Sequence, residues 1–436
     1  MKPEAGSDSL LRREIGKIGV ATIAMNGVIG SGIFALPALA IAQAGYFSPW
    51  VFVLCGILIL FVALTLARAA SFFDITGGPI VYTTHAFGRF AGFQTGLLIY
   101  VSRVAAIAAS ANLIVSYSSA LWSPLASGAP RVAAIAAYIS LATALNAAGM
   151  RAGMVGIYLI SILKLAPLAL LILVGFPSIE WTSVAGAEIL PPGPLGQTML
   201  VMMYAFIGFE FSLISAGETR NAKSAIPKAL VGTVLAIAVF YALIQLIAVS
   251  VGPDLGGSDT PLVDLAGRLM GKWGALALGL GVVFSIGGGS LTSLLTAPRL
   301  TFALSRDGSL PAWLGRVNAK THAPVNSVLL CGVLSLSMAV GQHYVWLVTL
   351  STFVRLVTYA LCIASLPIIE RTIPSHPGQF KLPGGLIIPA IAFLLTIWLM
   401  SHSTMDNVLI AGLIVAIGTA VFWLCTRDQV RDVEAV

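Results

Sequence analysis

Residues 18–42 form an apolar stretch long enough to cross a bilayer, yet Gly27, Gly30 and Gly32 interrupt it within the segment GVIGSGIF. A membrane span needs about 20 apolar residues, and each glycine weakens a helix by roughly 1 kcal/mol relative to alanine. The helix is therefore expected to break at Gly27–Phe34. Bare backbone at membrane depth persists only where protein buries it or where it lines a wet cavity, so its freed N–H and C=O groups become ligands for a small zwitterion. Small residues at this spacing also let a second helix approach closely, and the remainder of the chain has to weigh the two readings.

Hydrophobic residues make up 58% of the 436-residue chain and charged residues 9%, against roughly 25% charged in a soluble domain. The composition indicates an all-α integral membrane protein with about twelve transmembrane helices. Spans are expected at 17–42, 48–70, 86–122, 131–149, 154–176, 196–216, 228–251, 273–305, 325–341, 344–369, 386–402 and 407–425. Residues 1–16 are polar and read as an uncleaved cytoplasmic tail rather than a signal peptide. Segments 17–176 and 196–369 then make two five-helix units, 386–425 two additional helices, and 426–436 a second cytoplasmic tail.

With alternate connections on alternate sides, eighteen of the 24 Lys and Arg residues fall on the side of the N-terminus. Arg131, Arg268 and Lys272 fall on the other side, and the positive-inside rule places both termini in the cytoplasm. The formal charge of +7 thus marks orientation and implies no nucleic-acid partner. The partners expected are the lipid bilayer and a small-molecule substrate, with the chain a monomer or homodimer. Cys55, Cys331, Cys362 and Cys425 all lie in apolar spans, and no histidine pairs with a cysteine or carboxylate at ligand spacing. Neither a disulfide framework nor a metal site is expected.

Arg103, Lys164 and Arg355 belong to neither side, because they lie inside the third, fifth and tenth spans. Intramembrane charge is costly and points to function. The sixth span reads MMYAFIGFEFS, is interrupted by Gly208 and carries Glu210, the one carboxylate placed at membrane depth. If spans one to five recur inverted as spans six to ten, the sixth is the counterpart of the first. Two broken helices in corresponding positions are the sequence pointer to a transporter's midplane site, which favours the binding reading of Gly27–Phe34.

A half-helix that starts after a break offers N–H groups and a positive dipole end to a carboxylate, and one that ends before it offers carbonyls to an ammonium. Ser31 adds a hydroxyl to the amides of Gly30 and Gly32. Ile29, Phe206, Ile207 and Phe209 would shape a mostly apolar side-chain pocket, which points to small or hydrophobic neutral amino acids, while Glu210 keeps a cationic substrate open. Lys164 lies mid-span with no carboxylate within a turn, so desolvation favours its neutral amine and lets it exchange a proton near neutral pH. It could equally hold a fixed charge where a sodium ion would sit, and either role makes sodium unnecessary. Protons are the expected coupling ion, with Glu210 as a second candidate and no other cofactor. Arg103 and Arg355 are each open to an ion pair with Glu210 or to a structural role. The eighth span carries SIGGGSLTS, Ser285 to Ser293, suited to close helix approach, or to hydroxyls that coordinate an ion or line the pocket.

Five stretches in order, GSGIF (Gly30–Phe34), GGPIVY (Gly77–Tyr82), AFIGFE (Ala205–Glu210), ETRNAKSAIPKA (Glu218–Ala229) and SRDGSLP (Ser305–Pro311), resemble the amino acid, polyamine and organocation transporter superfamily. The closest branch in character is that of bacterial amino-acid permeases, and the resemblance spans nearly the whole chain. It implies an inverted repeat of five plus five helices with two more at the end, the LeuT-like fold, working by alternating access in a bacterial inner membrane. Likeness to the superfamily's arginine/agmatine antiporter implies that Ser31 and Gly32 meet the substrate carboxylate and that the carbonyls of Val28, Tyr204 and Ile207 meet its ammonium. The chain departs from that antiporter at Tyr204, in place of a gating tryptophan, and at about Ile107, in place of an arginine-contacting asparagine. Lys164 resembles the fifth-span lysine of sodium-independent, proton-coupled members. The expected function is proton-coupled symport of amino acids, with an exchanger or exporter, including one for cationic amino acids or polyamines, as the alternative. With no convergent His, Cys or carboxylate cluster at depth an enzyme is not expected, nor is a channel, since no repeated filter appears.

Overall fold

The computed structural model describes residues 15–119, 122–148, 154–214, 216, 219–318, 320–321, 323–376, 379–382 and 384–434. Among these the chain is helical throughout, apart from short connections and one isolated parallel bridge between Ile15 and Thr219. The helices are α1 (Lys17–Val28), α2 (Ser31–Ala44), α3 (Ser48–Ala70), α4 (Pro79–Phe87), α5 (Arg89–Ser119), α6 (Gly128–Ala147), α7 (Met154–Gly175) and α8 (Trp181–Ala185). They continue with α9 (Pro192–Met202), α10 (Phe211–Ile214), α11 (Ala222–Val251), α12 (Pro261–Arg306), α13 (Val325–Gly341), α14 (Tyr344–Thr372), α15 (Ile387–Met400) and α16 (Met405–Glu434).

Eight helical stretches among the described residues are long and apolar enough to cross a membrane, and Val325–Gly341 and Ile387–Met400 are shorter apolar helices. Burial sorts them into layers. In α5, 78% of the most apolar window is buried inside the protein, whereas in α16 the share is 17%. A helix that is apolar all round and mostly exposed, such as α16, suits a lipid-facing position, and α5 suits the centre. Polar groups join the central helices, where small residues and interhelical hydrogen bonds take over from the hydrophobic effect. Ser102 of α5 and Ser351 of α14 exchange bonds at 2.9–3.0 Å, and Gln245 of α11 donates to Ser48 of α3 at 2.8 Å.

The two broken helices are also tied at their polar ends. Arg220 N donates to Ile15 O at 2.9 Å, next to the Ile15–Thr219 bridge, so the segment leading into α1 and the one following α10 share a backbone link. Glu218 of the ETRNAKSAIPKA motif lies outside the described residues. At the end of α12 Asp307 holds Arg89 at the start of α5, through its side chain at 3.1 Å and through its carbonyl. At the turn between α11 and α12 Arg268 binds both carboxylate oxygens of Asp254, at 2.6 and 2.7 Å, and these hydrogen bonds hold the Asp254 carboxyl down to about 2.

Two expected boundaries are corrected. The third span, expected as one run over 86–122, divides at Gly88 into α4 and α5, because Gly88 has φ 87°. The eighth, expected from 273, belongs to a longer helical run from Pro261 that turns at Gly271, φ 65°. With φ 87° and ψ 176° Gly88 sits in a region that is essentially glycine-only, where an L side chain costs about 1–3 kcal/mol. Gly88→Ala is therefore expected to lower the melting temperature of the purified protein, whereas Gly232→Ala, inside α11 with open space at its Cβ, raises it; equal effects in a thermal-shift assay would refute this account of the split.

Candidate functional site

The first apolar stretch does break inside the glycine segment. Helix α1 ends at Val28, Ile29 has ψ 85° and Gly30 has φ −124° and ψ −141°, and α2 begins at Ser31. The sixth stretch breaks too: α9 and a short 3-10 turn end at Phe206, residues 207–210 are non-helical, and α10 starts at Phe211. The two breaks meet backbone to backbone. A Cβ added at Gly27 would lie 2.3 Å from the Gly208 oxygen, and one at Gly208 would lie 2.1 Å from the Gly27 oxygen, while Gly208 itself has φ 121°. Close approach and helix interruption, posed as alternatives from the sequence, are thus two aspects of one contact.

A cavity of about 80 Å³ opens at this contact. Its wall includes Val28, Gly30, Ser31 and Gly32 from the first break, and Tyr204, Ile207, Gly208 and Glu210 from the second. Ser31 Oγ and Tyr204 OH are 3.1 Å apart, and Ser110 Oγ of α5 donates to Ser31 Oγ at 3.3 Å. The first turn of α2 therefore presents its unbonded N–H groups beside a cluster of three hydroxyls, a setting that favours a carboxylate.

Three expected site residues take other places. Phe206 packs against Phe52 and Tyr241, with ring centroids 6.2 and 5.3 Å away, and Phe209 against Tyr359 at 5.5 Å. Both are buried in the core and neither lines the cavity, because aromatic rings beside a break fill the space between helices. The Ile29 side chain is likewise buried off the cavity wall, and its carbonyl is the part in use. Of the carbonyls implied for an ammonium, that of Val28 accepts from Gly30 N at 2.9 Å and Tyr241 OH at 3.3 Å, and that of Tyr204 from Ile207 N at 3.3 Å. The Tyr204 carbonyl keeps a second lone pair, whereas both lone pairs of the Val28 carbonyl are engaged.

Lys164 of α7 is 1% exposed, and its Nζ donates to Ile29 O at 2.7 Å and to Asn26 O at 3.4 Å. Asn26 Nδ2 in turn meets Ser161 Oγ, and Ser285 Oγ donates to the same Ile29 carbonyl at 3.3 Å. The lysine thus fills the gap where the chain leaves α1, bonding the carbonyls that the break exposes. The SIGGGSLTS segment stays helical within α12. Gly288 lets Ile160 approach, and Ser285, Gly289, Thr292 and Ser293 line the cavity, so the segment serves close approach and cavity lining together.

Glu210 is fully buried and folds back onto its own break, with Oε2 accepting from Gly208 N at 3.1 Å and from Tyr359 OH at 2.9 Å. Its Oε1 stands 2.8 Å from Arg355 Nη1, an ion pair rather than an aligned hydrogen bond. Arg355 also donates to Ser102 Oγ at 3.1 and 3.3 Å. The choice left open between the two arginines falls on Arg355. Tyr359, Ser110 and Asn26 were not singled out from the sequence, where a hydroxyl or amide within an apolar helix carries no spacing signal.

The family described as amino acid permease matches residues 15–424 of the chain. The chain is 25% identical over 423 residues to the serine/threonine exchanger SteT of Bacillus subtilis (strain 168), covering 95% of this chain and 96% of that protein. It is 24% identical over 437 residues to the branched-chain amino acid permease BcaP of the same organism, covering 96% and 94%. With the human large neutral amino acids transporter small subunit 2 it shares 26% identity over 446 residues, 97% of this chain and 82% of that one.

Removing one partner of a buried ion pair costs about 3–5 kcal/mol. Glu210→Gln is expected to lower thermal stability by several degrees, and combining it with Arg355→Met is expected to recover part of the loss; additive losses in thermal unfolding would show that the pair is not coupled.

Proposed function

The chain belongs to the amino acid permease family, and from that premise we propose that it is a secondary active transporter of amino acids, sodium-independent and coupled to protons. The observation that carries this reading is the pair of facing breaks, which puts the N-terminus of α2 and free backbone groups of both helices on one cavity wall. Val28, Gly30, Ser31, Gly32, Tyr204 and Ile207 are its proposed substrate-binding residues, with the carboxylate at Ser31 and Gly32. The proposed architecture is about twelve spans in an inverted five-plus-five arrangement with two additional helices, embedded in the inner membrane with both termini cytoplasmic. Alternating access follows from rocking two repeats around the site that the breaks share.

A cavity of about 80 Å³ accommodates a handful of waters, at roughly 10–15 Å³ each, which suits the ammonium–carboxylate end of an amino acid with a small side chain. Small neutral amino acids are therefore the proposed core substrates, in keeping with the hydroxy and apolar amino acids in the names of its relatives. Lys164 is proposed as the coupling group. It touches the break through carbonyls rather than through a counter-ion, so movement of α1 alters its surroundings directly and no fixed charge holds it in one protonation state. Exchange is the second reading, with Lys164 as a permanent cation holding α1, and the exchanger among the relatives favours it.

Reconstituted in sodium-free liposomes, the wild type is expected to accumulate radiolabelled serine or alanine under an inward proton gradient. Lys164→Ala is expected to exchange the same amino acid across the membrane while losing gradient-driven accumulation. Retained proton coupling in that variant would remove the lysine from the mechanism, and uptake requiring internal amino acid in the wild type would favour exchange. Ser31→Trp, which fills the cavity beside Tyr204, is expected to abolish binding, and wild-type affinity in that variant would move the site off the first helix.

A further inference from the structure

The cations at membrane depth are satisfied in different ways. Arg355 has Glu210, and Lys164 has the carbonyls of Asn26 and Ile29. Arg103 of α5 has one hydrogen bond, from Nη1 to Thr296 Oγ1 at 2.6 Å, and its guanidinium carbon stands 3.9 Å above the centre of the Phe211 ring. The side chain is 2% exposed and lines the cavity between the breaks. Its Nε and Nη2 are buried without a hydrogen-bond partner, and among the described residues no carboxylate pairs with it.

A guanidinium stays protonated and carries five N–H donors in a planar fork that fits a carboxylate through two parallel bonds. Thr296 and Phe211 fix that plane and leave the Nε–Nη2 edge, the edge able to take both oxygens of one carboxylate. Glu210 cannot serve, since Arg355, Tyr359 and the backbone amide of Gly208 already engage it. Nor is the α-carboxylate of a substrate required there, because the first turn of α2 and Ser31 provide for it. Ser110, which touches Ser31, lies seven residues from Arg103 on α5, about 10 Å along the axis at 1.5 Å per residue. The arginine arm and a short substrate side chain together bridge such a distance.

We propose that Arg103 is a second carboxylate-binding residue of this cavity and that it extends the substrate range to amino acids with a side-chain carboxylate. The proposal rests on the amino-acid site between the breaks. Its acid-binding end is made by α5, α10 and α12, where Ser293 adds a hydroxyl to the same wall.

The test is competition against uptake of radiolabelled serine in proteoliposomes, comparing aspartate and glutamate with their amides asparagine and glutamine. In the wild type at least one acid is expected to compete as well as its amide or better. Arg103→Gln is expected to raise the half-inhibitory concentration of that acid tenfold or more while moving the amide by less than about twofold, and Arg103→Lys to keep part of the acid preference. Failure of both acids to compete in the wild type overturns the proposal. A variant that weakens acid and amide equally does so as well, since Arg103 then serves the α-carboxylate common to both or the fold. Serine uptake by the wild type reads the underlying transport function separately, and its absence for every amino acid tried would remove that function and this proposal together.

Discussion

The approach of Gly27 to Gly208 is the contact on which the interior depends. Each glycine stands where a Cβ would occupy the other's carbonyl, so two helices cross at a distance that no other residue pair permits. Both helices are broken beside this contact, after Val28 in one and around Gly208, φ 121°, in the other. The cost is a set of backbone groups without helical partners in a region where lipid offers none. Much of the polar chemistry at depth answers this cost: Lys164 and Ser285 bond the Ile29 carbonyl, Tyr241 bonds that of Val28, and Glu210 bonds the Gly208 amide.

From this follows a division of labour among the buried charges. Glu210 and Arg355 neutralise each other and brace α10 against α14, with Ser102 of α5 drawn into the same network. Lys164 holds α7 to the end of α1. These links join α7 to the end of α1, and α14 both to the second break and to α5. The groups left over, the N-terminus of α2 and the Nε–Nη2 edge of Arg103, border the cavity.

Much of the fold was legible in the sequence for simple reasons. Apolar length marks helices in a membrane, and glycine spacing located both breaks to within a few residues. Legibility fell where one residue decides a boundary: Gly88 splits the expected third span because of its φ alone, which apolar composition does not register. At the site, Gly30, Ser31 and Gly32 lie on the cavity wall, where the glycine spacing put the break. Phe206 and Phe209 were misplaced because a ring next to a break has two directions open to it, and only the neighbours Phe52, Tyr241 and Tyr359 select the core. The same limit left Glu210 without a chosen partner until α14 was placed, since Arg103 and Arg355 are equivalent charges in an unfolded string.

The central claim, that the facing breaks form the amino-acid site, is tested most directly by an experimental structure of the protein with a small amino acid bound. The account predicts the carboxylate within hydrogen-bond distance of Ser31 Oγ and the first amides of α2, and the ammonium against carbonyls of the two breaks. An amino acid bound elsewhere, with Gly27 and Gly208 still in contact and the cavity between the breaks unfilled, would contradict it.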